Sequence, residues 1–220
     1  MRHEDPPTSV HALCARADLG EREATTLATS GALTGLEAER RQAIWHAPRI
    51  AADARQPLLP GLAETAQQTV RLPAMTAAEE TRMDYAALGF SVGRHVMEHL
   101  RPELAHLTLH TSATVKRVRR GDTIEVAGQA IARQRPGTAQ GTVFLSLSDE
   151  WGIINVVVSP DVYALYRRVI RSEVLLRLRG TIERRYGVVS LQAEAAWPLA
   201  ESLASRPTSQ THLPPGKEFC

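Results

Sequence analysis

ARQRPGTAQGTVFLSLSDEWGIINVVVSPDVYALYRRVIRSEVLLRLRGTIERRYGVVSLQAE, residues 132–194, switches its hydrophobic period from strand to helix and back, and those switches decide the fold. In TVFLSLSDE (142–150), Val143, Leu145 and Leu147 alternate with Thr142, Phe144, Ser146 and Ser148, the period of a strand with one buried face. A tight turn at Trp151-Gly152 leads into IINVVVS (153–159), a second strand. Ser159-Pro160 then supplies an N-cap and a proline at the first helical position, and Val162, Leu165, Tyr166, Val169 and Ile170 recur at helical spacing. In VLLRLRGTIE (174–183), Val174, Leu176, Leu178 and Ile182 alternate with Arg177 and Arg179, and Tyr186-Gly187 turns the chain into VVSLQAEA (188–195). Just upstream, TIEVAGQAIARQR (123–135) reads as a long strand containing Gly128, closed by a turn at Pro136-Gly137-Thr138.

Three strands, a helix and two strands is the order of the OB-fold, in which the helix plugs one end of a five-stranded barrel. The sequence therefore predicts an α+β chain: an OB-fold β-barrel at 108–198, preceded by short helices and a helical connector. OB-folds bind single strands across their second and third strands and the adjoining loops, with aromatics stacking on bases and arginines meeting phosphates. Phe144 alternates away from the core set. It joins Asn155, Arg133, Arg135, Arg177 and Arg179 as the candidate nucleic-acid-binding residues. The competing readings are a Phe144 packed under a loop and arginines that only solvate a strand face.

Outward from the barrel the signal weakens. Residues 1–46 carry short apolar sets at helical spacing (Leu13, Ala17, Leu27, Ala28, Leu33, Leu36, Ala43, Ile44), broken at Gly20, Gly31 and Gly35, and read as a helical remnant. Residues 47–75, with Pro48, Pro57, Pro60 and Pro73, read as a linker. In the connector, 76–107, Thr76 and Glu79 form a capping box and Gly89 ends the helix. A second helix is expected from about Ser91 to Pro102, with Val92, Val96, His99 and Leu100 on one face. The segment 199–220 reads as a flexible tail.

Charge is distributed unevenly: 11 Lys+Arg face 14 Asp+Glu in 1–111, against 13 and 8 in 112–195, under a net charge of +2. The barrel is thus the electropositive part, as a phosphate-binding domain requires. Two cysteines, Cys14 and Cys220, support neither a disulfide framework nor a thiolate metal site, and neither a signal peptide nor a membrane span is evident. A soluble protein of the reducing cytoplasm is expected. His95-Val96-Met97-Glu98-His99 fits the H-x-x-E-H pattern of inverted zinc proteases, but lacks a third ligand and reads as part of the connector. Asp149-Glu150 reads as a β-turn, and the charge run Lys116-Arg117-Val118-Arg119-Arg120 as solvated surface able to track a phosphate backbone. Gln56 to Leu62 only faintly resembles a sliding-clamp-binding peptide.

The quoted stretch resembles the C-terminal OB domain of the bacterial C-family replicative polymerases, in particular their error-prone, damage-tolerant branch. The resemblance rests on Arg135-Pro136-Gly137, Gly141, the turn Leu147-Ser148-Asp149-Glu150-Trp151-Gly152 and Pro160-Asp161-Val162-Tyr163. It continues upstream through Asp84-Tyr85, Gly89-Phe90-Ser91-Val92 and His95, through Gly31-Ala32-Leu33 and Arg40 to Trp45, and downstream to Pro215-Gly216-Lys217-Glu218-Phe219. Val96 departs from the proline usual in that family. The resemblance implies a module that binds single-stranded DNA or primer-template in translesion synthesis and DNA repair, alongside other subunits of a mutagenesis polymerase complex, with no membrane partner. It also implies a missing part, because the catalytic palm and the phosphoesterase-like domain have no counterpart and no Asp-x-Asp pair occurs. No catalytic residue and no metal site is assigned to this chain; Mg²⁺ is expected only for the absent catalytic domain, which leaves enzymatic status open. A fragment, or the product of a split or truncated gene, is the expectation. The alternative is an anticodon-binding type of OB domain that takes RNA.

Overall fold

The computed structural model describes residues 5–37, 39–55, 71–185 and 187–204, and the chain divides into two compact units, Met1–Arg94 and His95–Cys220. The first unit contains α1 (Val10–Ala17), α2 (Glu21–Thr29), α3 (Arg40–Arg55) and α4 (Ala77–Leu88). Its core is built largely of small side chains: Cys14, Ala24, Ala28, Ala43, Ala47 and Ala51, with Val10 and Leu33. Such residues let helices approach closely at little cost in side-chain entropy.

Helix α3 continues through Pro48 to Arg55, where the sequence reading placed the start of a linker. A proline inside a helix removes one backbone donor. Here Ala47 and Ala51 keep a buried face running past it, and that packing outweighs the lost bond. Residues 56–70 of the linker, including the clamp-peptide resemblance, lie outside the described residues, and 71–75 form no helix or strand. Helix α4 starts where its capping box predicts: Glu79 Oε2 accepts from the Thr76 N–H at 2.8 Å and Thr76 Oγ1 from the Glu79 N–H at 3.3 Å. Gly89, at φ 81°, ends it.

The expected helix from Ser91 does not form, because the Asp84 carboxylate accepts from Ser91 Oγ at 2.9 Å and from the Val92 N–H at 3.1 Å, holding those residues in a turn. Helix α5 (Val96–Leu100) begins only after His95, whose Nδ1 caps it by accepting the Met97 N–H at 3.1 Å. Burial pushes the His95 imidazole below its usual pKa, against the opposing pull of Glu150 and Asp149, and favours the neutral ring that an acceptor Nδ1 requires. His95 and His99 therefore do not share a helical face as the zinc-protease pattern requires.

Beyond α5, the second unit runs β1 (Leu109–His110), α6 (Ser112–Val115), β2 (Thr123–Gln134), β3 (Val143–Asp149), β4 (Gly152–Val158), α7 (Pro160–Ser172), β5 (Leu175–Arg185), β6 (Val188–Pro198) and α8 (Leu199–Ala204). The strands pair in the order β1-β2-β3-β4-β6-β5, and β2 also pairs with β5, which closes β2 to β6 into a five-stranded barrel. The long β2 does both jobs: its first half, from Thr123 to Gln129, pairs with β5, and its second half with β3. Val126, Leu145, Leu147, Val156, Val158, Leu176, Leu178, Ile182 and Leu191 fill the interior, and Ile170 of α7 plugs it. Closure demands tight backbone crossings. At Gly180, beside a bulge in β5–β6 pairing, an added Cβ would lie 2.1 Å from the Gln192 carbonyl oxygen.

A second apolar layer covers the outside of β2 and β5. Met97, Leu100 and Leu104 meet Ala127 and Leu199 there, with Leu175 and Leu203 packed at the edge. The segment read as tail from 199 onward thus begins with a short helix whose Leu199 is fully buried. Residues 205–220 lie outside the described part.

Candidate nucleic-acid interface

The registers define which side chains share the outer face of β3 and β4. One row runs Gln134, Phe144, Val157, Gln192 across β2, β3, β4 and β6. The next runs Ala132, Ser146, Asn155, Ser190, and a third joins Gln129, Ser148 and Ile153. Alternation places all of these opposite the buried set. Across the three rows there is no carboxylate and no formal charge. Phe144 is 42% exposed in the first row of this amide- and hydroxyl-lined surface, and Asn155 is exposed one row away. Such a face offers a stacking plane and neutral donors and acceptors, the chemistry of nucleobases rather than of phosphates.

The candidate arginines separate into three places. Arg135 follows Gln134 at the rim of this face, exposed, with its guanidinium 5.3 Å from the centre of the Tyr163 ring. Arg133 is turned away from it. A register shift between Ala130 and Ala132 sets Arg133 opposite the buried Leu145, so its side chain points to the barrel end where α7 sits. There its Nε donates to Ile170 O at 2.6 Å and its other nitrogens to Glu173 O and Ala130 O, which satisfies the last carbonyls of the helix. Arg177 and Arg179 lie on β5, which is flanked by β6 and β2 and so stands across the barrel from the β3–β4 pair. Arg177 stacks over Trp197 at 4.6 Å and lies 3.8 Å from Glu125, beside the helix-covered patch. Arg179 is exposed in a shallow depression with Thr108, His110, Thr123 and Glu125. Of the six candidates, the structure brings together Phe144 and Asn155, with Arg135 next in the chain to Gln134 and its guanidinium over Tyr163 of α7.

Sequence reading passed over Gln134 and Gln192, although Gln192 alternates with Leu191 and Ala193 in VVSLQAEA. Trp151 reads in sequence only as a turn residue, whereas in the structure it is 70% exposed at the tip of the β3–β4 hairpin. The rigidity of that tip comes from Asp149. Its buried carboxylate accepts the Trp151 and Gly152 N–H groups at 2.9 and 3.0 Å, and the Ser112 N–H and Oγ–H at 2.6 Å each. Arg101 backs it at 3.5 Å and forks onto Glu150 at 2.6 and 3.2 Å. The pair Asp149-Glu150 is structural, as its turn reading implies. Among the described residues no group of three or more His, Cys, Asp or Glu could hold a metal ion, and no helix is long and apolar enough to cross a membrane.

A closed five-stranded barrel with this order of elements is an OB-fold, and a family model described as "OB-fold nucleic acid binding domain" matches residues 124–199. Over nine tenths of its length the chain is related to error-prone DNA polymerases. It is 42% identical over 199 residues to that of Anaeromyxobacter sp. (strain K), and 38% identical over 202 residues to that of Xanthomonas campestris pv. campestris (strain B100), which is 90% and 92% of this chain. The chain spans only 17% and 18% of the length of these curated relatives. The asparaginyl-tRNA synthetase of Pyrococcus horikoshii, solved with asparaginyl-adenylate, overlaps 42% of this chain and 22% of its own at 20% identity and a TM-score of 0.35.

Proposed function

We propose that this chain is the single-stranded-DNA-binding C-terminal module of an error-prone polymerase, acting in translesion synthesis and repair without containing the catalytic domains. The observation that carries the proposal is the exposed Phe144 on a neutral barrel face, between Gln134 and Val157, with Arg135 following Gln134 where β2 ends. Bases stack on Phe144 and meet Asn155, Gln134 and Gln192, and the backbone passes Arg135. Because base stacking is sequence-tolerant, binding serves a damaged or undamaged template alike. The polymerase relatives favour DNA, while OB-folds as a class also take RNA. Comparison of oligo-dT with oligo-rU separates the two.

The test is titration of labelled oligo-dT with the full chain at several salt concentrations. Phe144→Ala is expected to weaken binding by about 1–3 kcal/mol with little change in salt slope, the cost of one lost stacking platform. Arg135→Ala is expected to reduce the slope by about 0.7, as for one lost phosphate contact on a single strand. Arg177→Ala, across the barrel, should leave affinity unchanged. Binding indifferent to Phe144→Ala and Arg135→Ala in folded protein, or no binding at low salt, overturns the proposal.

A further inference from the structure

We infer that the hairpin end of the barrel holds a second contact for the same strand, with phosphates met by Lys116, Arg117, Arg119, Arg120 and Arg185 beside a base stacked on Trp151. The inference rests on the reading that the β3–β4 face binds single strands, and it extends that site along β4.

A charge run in a sequence is most often solvated surface, but this one is folded onto the barrel by backbone bonds. The Gly121 N–H donates to Ile182 O at 2.9 Å and the Ile182 N–H to Asp122 O at 2.9 Å. Arg184 donates to Lys116 O at 2.6 Å and to Val118 O at 2.9 Å. These four bonds fix the segment 116–122 against the end of β5. Lys116, Arg117, Arg119 and Arg120 are exposed there together with Arg185, the last residue of β5. Glu183 and Asp122 offset part of this charge; Glu183 lies 3.6 Å from Arg120 and 3.9 Å from Arg185. A net positive cluster on a rigid frame attracts a polyanion without an ordering cost for the loop.

The same frame reaches Trp151. Ser112, the first residue of α6, is bound by Asp149 of the β3–β4 hairpin, and its Oγ lies 3.5 Å from where a Cβ on Gly152 would stand. From Ser112, held against the hairpin, the chain therefore reaches the basic segment within a few residues. Trp151 projects from that hairpin at 70% exposure, and Ile153, 54% exposed, continues the outer face of β4 towards Asn155 and Val157, the neighbour of Phe144. A large exposed indole on a turn pinned by hydrogen bonds has an apolar face to cover, and a base covers it next to cations that take the phosphates. From Trp151 to Val157 is six strand positions, roughly 20 Å. A strand touching both ends must exceed a few nucleotides, within the roughly 4–16 that an OB-fold occupies.

The experiment compares labelled dT4 and dT12 on the full chain, on Phe144→Ala, on Trp151→Ala and on the triple variant Lys116→Ala/Arg117→Ala/Arg119→Ala. The substituted side chains lie on the surface, and the bonds that hold the segment use its backbone; glutamine versions of the triple provide a second set should alanine lower the melting temperature. The expected result is that Trp151→Ala weakens dT12 roughly 5- to 150-fold at constant salt slope, as for one lost stacked base. The triple variant is expected to lower the dT12 salt slope by about 2. Neither should change dT4 binding at Phe144 more than about twofold, a strand of that length being at the short limit for an OB-fold. If folded Trp151→Ala and triple variants bind dT12 like wild type while Phe144→Ala does not, the second contact is overturned and the β3–β4 reading stands. If wild type binds neither oligonucleotide at low salt, both readings fall together.

Discussion

Asp149→Ala is expected to destabilise the barrel unit by about 3–5 kcal/mol, the range for removing one partner from a buried, hydrogen-bonded charge. The Asp149 side chain is wholly buried, and four donors converge on it from two parts of the chain. Its loss strands the N–H groups of Ser112, Trp151 and Gly152, each orphan costing on the order of 1–3 kcal/mol where water cannot reach it. It also leaves Arg101 with Glu150 alone. Two consequences go beyond stability: the β3–β4 hairpin loses the bonds that shape its tip, and α6 loses its tether, so dT12 binding should weaken even below the melting transition. Urea unfolding followed by circular dichroism measures the first effect. An Asp149→Ala variant that unfolds at the wild-type midpoint contradicts this account of the hairpin.

A comparable loss, about 3–5 kcal/mol in the first unit, is expected for Arg40→Ala. Arg40 lies 2.6 Å from Asp84, both side chains 7% exposed, and also donates to Thr29 O. Burial opposes ionisation of Asp84, yet the hydrogen bonds from Arg40, Ser91 and Val92 and the guanidinium charge outweigh it and hold the carboxyl below its ordinary range. A carboxyl with a depressed folded-state pKa contributes stability that is fully present above the unfolded value, about 3.9, and is lost as pH falls through the folded value. Without Arg40 the burial cost remains and the compensation shrinks, so the folded-state pKa of Asp84 rises and the loss of stability should be largest at neutral pH and narrow as pH falls. Removing both charges in Arg40→Met/Asp84→Leu should recover much of the loss, since replacing a buried pair by apolar groups is often close to neutral. Chemical denaturation from pH 3 to 7 checks both statements. Arg40→Ala with wild-type stability throughout refutes the role given to this pair.

The barrel was legible because its code is local. Strand alternation in TVFLSLSDE, the Ser159-Pro160 helix start and the Thr76/Glu79 box each depend on residues a few positions apart, and the structure shows each element there. The exposure of Phe144 followed from the same alternation. What failed was non-local. The register shift at Ala130/Ala132 reverses the side of Arg133, and no pattern in AIARQR marks it. Arg177 and Arg179 looked like partners of Phe144 because alternation tells which side of a strand faces out, not which sector of a closed barrel that strand occupies. Leu199 looked like the start of a tail because its burial comes from Met97 and Ala127, far away in sequence. Pro48 reads as a break because its local penalty is visible in sequence and the tertiary packing of Ala47 and Ala51 is not.

On the proposed reading, single-stranded DNA lies on the β3–β4 face and not on the β5 side of the barrel. Amide-resolved NMR of the full chain, titrated with dT12 at low salt, tests it residue by residue. The resonances of Phe144, Ser146, Asn155, Val157 and Gln192 are expected to shift together with a common saturation point, while those of Arg177, Arg179 and Trp197 stay in place. Shifts centred on Arg177 and Arg179, with Phe144 and Asn155 unmoved at saturation, would contradict it.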